Sequence, residues 1–344
     1  MNSRKLRHKI GLQKLTRKAK QLAPARAAFY NGRRMPDINS IITADSIKYL
    51  NDAPHGWVDL VFADPPFNIG YLYDGYDDRR KTSDYLKFSK EWMAAVHRSL
   101  KPTGSFYLAI GDDYAADLCV IARRELGFTL RSWIIWHYTF GQQPKRKFAR
   151  SHTHILYFTK HETEFTFNAD AIRVASARQT TYADARANPK GKLPDDVWYL
   201  RPQEAGEGMF DANSDTWNVS RVCGTFKERE GWHGCQMPIG VLDRIIKASS
   251  NPGDIVLDPF NGSGTTVVSA ALLDRKYVGI DQSEAYVEFA KKRLAHALEK
   301  KGANASEDTT RYVSDPARAS RVMTETDAFG RKRVARRGRA AKSA

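Results

Sequence analysis

Short apolar runs alternate with amphipathic segments between residues 38 and 298. Continuous apolar runs bounded by turn residues are typical of buried parallel strands, whereas apolar residues spaced three and four apart are typical of helices packed on a sheet. The pattern predicts strands at 41–44, 58–63, 104–110, 130–137, 155–159, 254–257 and 277–280, and helices at 84–100, 114–126, 241–248 and 267–273. This alternation predicts an α/β fold with a largely parallel sheet.

The alternation stops between residues 138 and 222, where basic and aromatic residues are mixed. Lys and Arg suit contacts with phosphate, and Arg, Gln and Asn suit the edges of bases. A nucleic-acid recognition region is one interpretation, and a solvated insertion that braces the sheet is the other. The residues that favour recognition are Lys145, Arg146, Lys147, Phe148, Arg150, Arg173, Arg178, Gln179, Tyr182, Arg186, Lys190, Lys192, Trp198, Tyr199 and Arg201.

The predicted strand at 58–63 leads into Asp64-Pro65-Pro66-Phe67. A carboxylate only accepts hydrogen bonds, and the Pro65 carbonyl offers a second acceptor beside it. Two such acceptors can orient an exocyclic amine, whose lone pair is otherwise delocalised into its ring. The two prolines stiffen the turn, and Phe67 offers a flat face to a base. The alternative is a loop that merely ends a strand.

The predicted strand at 254–257 leads into a second motif, Asp258-Pro259-Phe260-Asn261-Gly262-Ser263-Gly264-Thr265-Thr266. Gly262 and Gly264 let the backbone approach a ligand closely. Asp281 follows Asp258 by 23 residues, which is close to the spacing of an acid that binds ribose hydroxyls. A dinucleotide loop needs a third glycine that is absent here. The motif therefore favours a nucleoside cofactor without a phosphate.

Together the two motifs resemble the catalytic and S-adenosylmethionine motifs of the DNA amino-methyltransferases, in the order of that family's β class. The resemblance covers about residues 38–298 and implies a Rossmann-like fold, a seven-stranded mixed sheet with an inserted target-recognition region. It also implies direct methyl transfer to a flipped base. Asp64 and Pro65 would orient the target amine, Pro66 would complete the stiff catalytic turn, and Phe67 would stack on the base. The cofactor residues it implies are Asp258, Phe260, Asn261, Gly262, Ser263, Gly264, Thr265 and Asp281.

Two further segments add to the resemblance. Gln236 lies in a stretch similar to the family's H-P-x-Q-K-P, although Gly234 and Met237 depart from that pattern. The resemblance implies that Gln236 contacts the methionine end of the cofactor. Asp45 follows a predicted short strand, as does a family acid near the cofactor's adenine. A plain helix N-cap is the alternative role for Asp45.

The net charge of +16 is concentrated at the two ends of the chain. Residues 1–34 hold 11 Lys or Arg and residues 331–344 hold 7, with no acid in either segment; the rest of the chain has a net charge of −2. Such ends commonly contact nucleic acid, or else only improve solubility. The predicted division is a basic arm (1–37), a catalytic half (38–137), a recognition insertion (138–222), a cofactor-binding half (223–298), and a linker with a basic tail (299–344).

Other classes of protein fit the sequence poorly. No apolar run is as long as a membrane span, and the N-terminus has no apolar core like that of a signal peptide. The three cysteines form no disulfide framework, which favours a reduced cytoplasm. Cys223, His233 and Cys235 match no standard zinc spacing, so no metal is predicted. We therefore expect a cytoplasmic, nucleoid-associated protein of a prokaryote or phage.

The choice of target base follows from the first residue of the catalytic motif. In the resembled family, Asp at this position is more usual for adenine N6 and Ser for cytosine N4, so the prediction is adenine N6, with cytosine N4 as the alternative. An RNA methyltransferase and a non-catalytic DNA-binding protein are further alternatives. The expected partners are double-stranded DNA, a second copy of the chain in a homodimer, and a cognate restriction enzyme.

Overall fold

A computed structural model describes residues 29–30, 33–73, 76–138, 145–174, 184–198, 236–303, 324–326 and 332–334. Its centre is one eight-stranded sheet. In chain order the strands are β1 (Ser40–Thr43), β2 (Val58–Ala63), β3 (Leu100–Ile110), β4 (Thr129–His137), β5 (His152–Thr159), β6 (Val197–Trp198), β7 (Ile255–Asp258) and β8 (Lys276–Asp281). Most of both basic tails and much of 138–222 lie outside the described residues, as do Cys223, His233 and Cys235.

The sheet has the spatial order β6-β4-β5-β3-β2-β7-β8-β1. Strand β5 is antiparallel to both of its neighbours, and the other neighbouring pairs of this sheet are parallel. The predicted seven-stranded mixed sheet is confirmed, and the two-residue β6 extends it at one edge. Strand β5 lies within 138–222, so that range contributes to the sheet as well as to the insertion.

Helices pack on both faces of this sheet. They are α1 (Ser46–Asp52), α2 (Thr82–Ser99), α3 (Asp112–Val120), α4 (Ile239–Ser249), α5 (Thr265–Leu272) and α6 (Glu284–Ala303). A π-helical turn (Ile121–Glu125) continues α3, and a 3-10 turn covers Ala169–Ala171. Three short antiparallel pairs complete the described elements: Phe29–Tyr30 with Arg33–Arg34, Leu72–Tyr73 with Tyr76–Asp77, and Thr324–Thr326 with Lys332–Val334.

The core explains why the central strands are continuously apolar. Side chains alternate along a strand, so a strand covered on both faces buries both sets. In β2, Val61 packs into the cluster that contains Trp92 of α2, whereas Phe62 packs into the cluster that contains Leu242 of α4. Each of these side chains is at most 1% exposed. None of the helices that the structure describes is both long enough and apolar enough to cross a bilayer.

Three adjacent parallel strands bring acidic residues to one edge of the sheet. Strand β2 is followed by Asp64, β7 ends at Asp258 and β8 ends at Asp281. These strands are neighbours in the order β2-β7-β8, although β2 is far from the other two along the chain. Ligands of open α/β sheets bind beyond the carboxyl ends of the strands, so a functional site is expected at this edge.

Candidate active site

An open pocket lies at this edge of the sheet, and the empty space within it and in its solvent-open mouth is about 950 Å³. It joins the two sequence motifs, because Asp64 and Pro66 line it together with most of the glycine-rich loop. Its lining residues are Ala44, Ser46, Phe62, Asp64, Pro66, Tyr76, Phe88, Met237, Asp258, Pro259, Phe260, Asn261, Gly262, Ser263, Thr265, Thr266, Asp281, Gln282 and Tyr286. A concave site beyond the ends of parallel strands, lined by apolar residues and a few polar ones, is typical of small-molecule and cofactor binding.

The loop that enters α5 requires glycine. Gly264 has φ +76°, and a Cβ on it would lie 2.9 Å from Cβ of Ala290 in α6. Gly262 has φ +43°, and its N–H donates to Oδ2 of Asp281 at 2.8 Å. The two glycines therefore permit a tight turn, and Asp281 at the end of β8 binds this turn through the Gly262 N–H. The backbone of Gly262 lines the pocket without a side chain.

The same loop is braced by a hydrogen-bond network with α6. The Arg293 guanidinium donates to the Ser263 carbonyl at 2.9 Å and to the Thr265 hydroxyl at 2.8 Å. The Thr265 hydroxyl in turn donates to the Met237 carbonyl at 3.1 Å. Ser263 and Thr265 are both buried, so part of their role is to hold the loop. Arg293 has no signature in the sequence, because one arginine in a helix resembles any other.

Asn261 shows that the loop suits a polar ligand. Its side chain is 3% exposed, yet neither amide atom has a hydrogen-bond partner among the described residues. Buried polar atoms are normally satisfied, so an orphaned amide that lines a pocket is a ready donor and acceptor. A Cβ at Gly279 would lie 2.4 Å from the Asn261 Oδ1, so β8 has no side chain where this amide packs. These features fit the nucleoside part of S-adenosylmethionine.

Asp281 lines the pocket and organises the loop. Its Oδ2 accepts from the Gly262 N–H, and its Oδ1 accepts from the Ser283 N–H at 2.9 Å. A carboxylate has about four lone-pair sites, and the Asp281 residue is part of the pocket wall. The contact of Asp281 with ribose stays a prediction. The contacts with two backbone N–H groups were not foreseen, because the sequence does not indicate which loop a strand-terminal acid faces.

Asp258 is buried beneath the loop, at 3% exposure. Its Oδ1 accepts from the Phe260 N–H at 3.0 Å, and the Thr266 side chain also hydrogen-bonds to the carboxyl group. Burial is the main cause that raises the pKa of Asp258 to about 7, with a smaller contribution from the charge of Asp281. The carboxyl group therefore changes protonation near neutral pH in the folded chain.

We predict that this titration affects folding stability. The folded pKa of Asp258 is about 7, whereas the unfolded value is about 3.9. Between these values the folded chain keeps a proton that the unfolded chain has released, so stability falls as pH rises through this window and levels off above it. When urea unfolding is measured from pH 4 to 8, the free energy of unfolding of the wild-type chain should contain a decline on the order of a few kcal/mol from this group. Asp258→Asn should lack that decline. Parallel pH profiles for the two chains would contradict this assignment.

The catalytic-motif turn is fastened to α2. Asp64 is half-buried at the end of β2, and Pro65 is buried behind it. The Pro66 carbonyl accepts a hydrogen bond from the Tyr85 hydroxyl at 2.8 Å. Tyr85 is fully buried, so this bond ties the turn to the core. The roles of Asp64 and Pro65 in orienting an amine, and of Pro66 in the catalytic turn, stay predictions.

Phe67 follows Pro66, which lines the pocket, but is not itself one of the lining residues. Its ring is 3.4 Å from the point where a Cβ on Gly111 would be, so the absence of a side chain at the end of β3 makes room for it. Phe67 is half-buried against the core that α2 and α3 share. One part of the ring is thus packed and the remainder is exposed. Stacking of this exposed part on a base stays a prediction.

A buried aspartate that sequence reasoning missed organises the segment after the motif. Asp78 is 2% exposed and accepts hydrogen bonds from the backbone N–H groups of Asn68 (2.8 Å), Ile69 (3.1 Å) and Tyr71 (2.9 Å). Asp77 and Asp78 are adjacent in the sequence, and nothing local indicates that Asp78 is the one that turns inward while Asp77 is exposed. We call the segment 68–80 the clamp loop.

The clamp loop is also tied at Asn68, which has φ +58°. The Asn68 side chain donates to the Arg80 carbonyl at 3.0 Å and to the Tyr114 hydroxyl at 2.8 Å, and it accepts from the Arg80 N–H at 2.8 Å. The Arg80 guanidinium lies 4.5 Å from the ring centroid of Tyr76 and 4.6 Å from that of Phe88. Since both aromatic rings line the pocket, the clamp loop connects the catalytic motif to the pocket wall.

We predict that Asp78→Asn loosens this connection. The amide places an N–H₂ group against backbone donors, and an unsatisfied buried donor costs about 1–3 kcal/mol. Amide hydrogen exchange at residues 68–71 should become faster, and the rate of methyl transfer should fall by about tenfold. Asp77→Asn is the matched control, because Asp77 is exposed and its side chain accepts from the Arg79 N–H alone among the described residues. Unchanged exchange in Asp78→Asn would contradict the clamp.

A cluster of one aspartate and two histidines near the catalytic motif has the residue types of a metal site, but its side chains are engaged in other interactions. Ligand atoms of Asp112, His152 and His154 lie within 4.8 Å of one another. The Trp133 indole N–H donates to Nδ1 of His154 at 2.8 Å, and Arg150 pairs with Asp112 at 2.9 Å. Burial lowers the pKa of His154, which favours the neutral ring. With Nδ1 accepting, a neutral ring carries its proton on Nε2, so neither nitrogen is available to a metal.

Asp45 and Gln236 are the remaining predicted cofactor residues. Asp45 is exposed and caps α1, since its Oδ1 accepts from the Lys48 N–H at 2.8 Å. Its Oδ2 accepts from the Gln282 side chain at 3.1 Å. The N-cap role that sequence analysis left open is therefore present. Gln236 is 4% exposed and precedes Met237, which lines the pocket. A cofactor contact by Asp45 or Gln236 stays a prediction.

The chain is similar to proteins of known type. The N6/N4 family model, described as DNA methylase, matches residues 58–292. The type II methyltransferase M.HpaI of Haemophilus parainfluenzae is 38% identical over 74% of this chain and 73% of its own length. The DNA adenine methyltransferase YhdJ of Escherichia coli K12 is 34% identical over 83% of this chain and 94% of its own. The crystal structure of an M1.HpyAVI–SAM complex superposes with a TM-score of 0.51, at 23% identity, over 74% of this chain and 98% of that one.

Proposed function

Because this chain belongs to the N6/N4 family of DNA methylases, we propose that it methylates the N6 amine of adenine at a specific sequence in double-stranded DNA. It is an S-adenosylmethionine-dependent DNA amino-methyltransferase. The choice of adenine is supported by Asp64 as the first residue of the catalytic motif and by the name of the Escherichia coli relative. The alternative is cytosine N4, since both amines need the same two acceptors.

One observation carries the proposal: a single pocket joins Asp64 and Pro66 to the glycine-rich loop and Asp281. Bound S-adenosylmethionine supplies an electrophilic methyl group. The Asp64 carboxylate and the Pro65 carbonyl would accept the two N–H groups of the target amine, which turns the nitrogen lone pair out of conjugation and toward the methyl group. Asp64 also stabilises the positive charge that develops on nitrogen.

The cofactor would be held by residues of this chain that already lie around the pocket. Asn261 and Asp281 both line it, and the buried Asn261 amide has no hydrogen-bond partner among the described residues. Phe260 contributes an apolar wall and is itself packed edge-on against Trp92, with ring centroids 5.2 Å apart. Asp258 is too deeply buried to act on the target base, so its part is to shape the loop.

Sequence recognition is assigned to the part of 138–222 that lies outside β5. The structure describes some of its basic residues, and several are paired with aspartates, among them Arg173 and Lys190 with Asp170 and Lys192 with Asp195. Exposed pairs of this kind contribute at most about 1 kcal/mol, so phosphates can replace the aspartates at little cost. We also propose that the chain forms a homodimer, that it has a cognate restriction enzyme and that both basic tails contact DNA. The domain boundaries given above are part of the same proposal.

Modification sequencing tests the proposal. The wild-type chain and Asp64→Ala are expressed in cells that contain neither N6-methyladenine nor N4-methylcytosine, and both modifications are mapped in the DNA. N6-methyladenine in one short sequence, present only with the wild-type chain, is the expected result. Detection of N4-methylcytosine instead would identify cytosine, the alternative, as the target base. Methyl transfer into RNA with unmodified DNA would contradict the assigned substrate.

A further inference from the structure

An exposed aromatic residue follows three unpaired cations close to the catalytic motif. Phe148 is 98% exposed, more than any other large hydrophobic residue that the structure describes. The preceding Lys145, Arg146 and Lys147 are also exposed, and none of them forms an ion pair with a described residue. We call residues 145–148 the finger. Its cations differ from Arg150, Arg173 and Lys192 of the same region, which are paired with aspartates.

Arg150 anchors the base of the finger beside the catalytic motif. Its guanidinium pairs with Asp112 at 2.9 Å and Asp113 at 3.0 Å, and its side chain is only 16% exposed. One guanidinium nitrogen lies 3.9 Å from the Cβ position of Gly111, the same point that the Phe67 ring approaches to 3.4 Å. Cα atoms two residues apart are separated by at most about 7 Å, so Phe148 projects into solvent from a point within that distance of the Arg150 Cα.

We propose that Phe148 enters the base stack of the DNA and fills the space left by the target base, while Lys145, Arg146 and Lys147 bind the adjacent phosphates. This inference rests on the proposed function. A base that leaves the duplex exposes the faces of its neighbours, and an inserted apolar ring covers them again. Exposed cations beside the ring bring it to the phosphate backbone. The finger thus stabilises the flipped state, whereas Phe67 receives the flipped base.

The test compares duplexes that differ in how easily the target base leaves the stack. Both contain the sequence identified by modification sequencing; in one the target adenine is paired with thymine, and in the other it faces an abasic site. Phe148→Ala should lower kcat/KM on the paired duplex by about tenfold to a hundredfold. On the abasic duplex, kcat/KM of Phe148→Ala should stay within about threefold of the wild-type value, because less unstacking is required. Phe148→Trp should retain activity on both.

Two controls isolate the role of the ring. Phe289→Ala removes another exposed phenylalanine, 41% exposed on α6, and should leave both rates unchanged. Replacing Lys145, Arg146 and Lys147 with alanine should flatten the salt dependence of duplex binding by up to about 0.9 in log–log slope for each lost phosphate contact, whereas Phe148→Ala should keep the slope. S-adenosylmethionine affinity, measured by calorimetry, should be the same in all variants.

Three outcomes would overturn the role of Phe148. Equal activity of Phe148→Ala and the wild-type chain on the paired duplex would show that the ring does not assist flipping. An equal loss on both duplexes would show that it acts elsewhere, and dissociation of a dimer in sedimentation would identify Phe148 as a contact between two copies of the chain. Failure of the proposed function is distinct, because the wild-type chain itself would then leave DNA unmethylated.

Discussion

Alanine at Asp64 is expected to lower the single-turnover rate of DNA methylation by about 10²–10³, while S-adenosylmethionine affinity stays within about threefold of the wild-type value. Asp64 directly follows β2 and lines the pocket together with residues of the glycine-rich loop. It would act on charge that develops at nitrogen only during transfer. Removing it therefore affects the transition state much more than it affects the bound cofactor.

Asp64→Asn refines this expectation. Asparagine keeps the size of the side chain and one acceptor oxygen, but it loses the charge and gains a donor. Its rate should lie between those of the wild-type chain and Asp64→Ala, and calorimetry with S-adenosylmethionine verifies that each variant retains its pocket. A near-normal single-turnover rate in Asp64→Ala would remove Asp64 from the catalytic role. This conclusion would not depend on how variants at the cofactor-binding residues behave.

The second large effect is expected at Asp281, where alanine should weaken S-adenosylmethionine binding by about 10- to 100-fold. The carboxylate holds the Gly262 and Ser283 N–H groups, and it is proposed to accept from the ribose. Each hydrogen bond to a charged group contributes about 1.5–3 kcal/mol. Calorimetry on Asp281→Ala measures the loss, and the exposed Asp117→Ala on α3 is the control that should bind normally.

A cycle with a modified ligand separates the two roles of Asp281. S-adenosylhomocysteine and its 2′,3′-dideoxy analogue are compared in the wild-type chain and in Asp281→Ala. If Asp281 accepts from the ribose, removing the hydroxyls should weaken binding to the wild-type chain and have little further effect in the variant. Additive losses would mean that Asp281 acts only by holding the loop. Unchanged affinity in the folded variant would contradict the proposed cofactor site.

Local pattern was sufficient for the strands and for the two motifs. The runs that end before Asp64 and at Asp258 are apolar at nearly every position because both faces of the central sheet are buried. Helix ends were predicted less well: the helix expected at 114–126 begins at Asp112 and changes to a π turn at Ile121. Acids at Asp112 and Asp113 favour the earlier start, because negative charge is stabilised at a helix N-terminus.

The sequence by itself determined which residues have the right chemistry, because motif spacing and apolar runs are local properties of the chain. Only the tertiary structure decided that β2 lies beside β7, which brings Asp64 and the glycine-rich loop to one pocket. It also decided that Asp78 turns inward to bind three backbone N–H groups. These features depend on contacts between segments that are distant in the sequence, or on which of several like residues is buried, and neither is encoded in a local pattern.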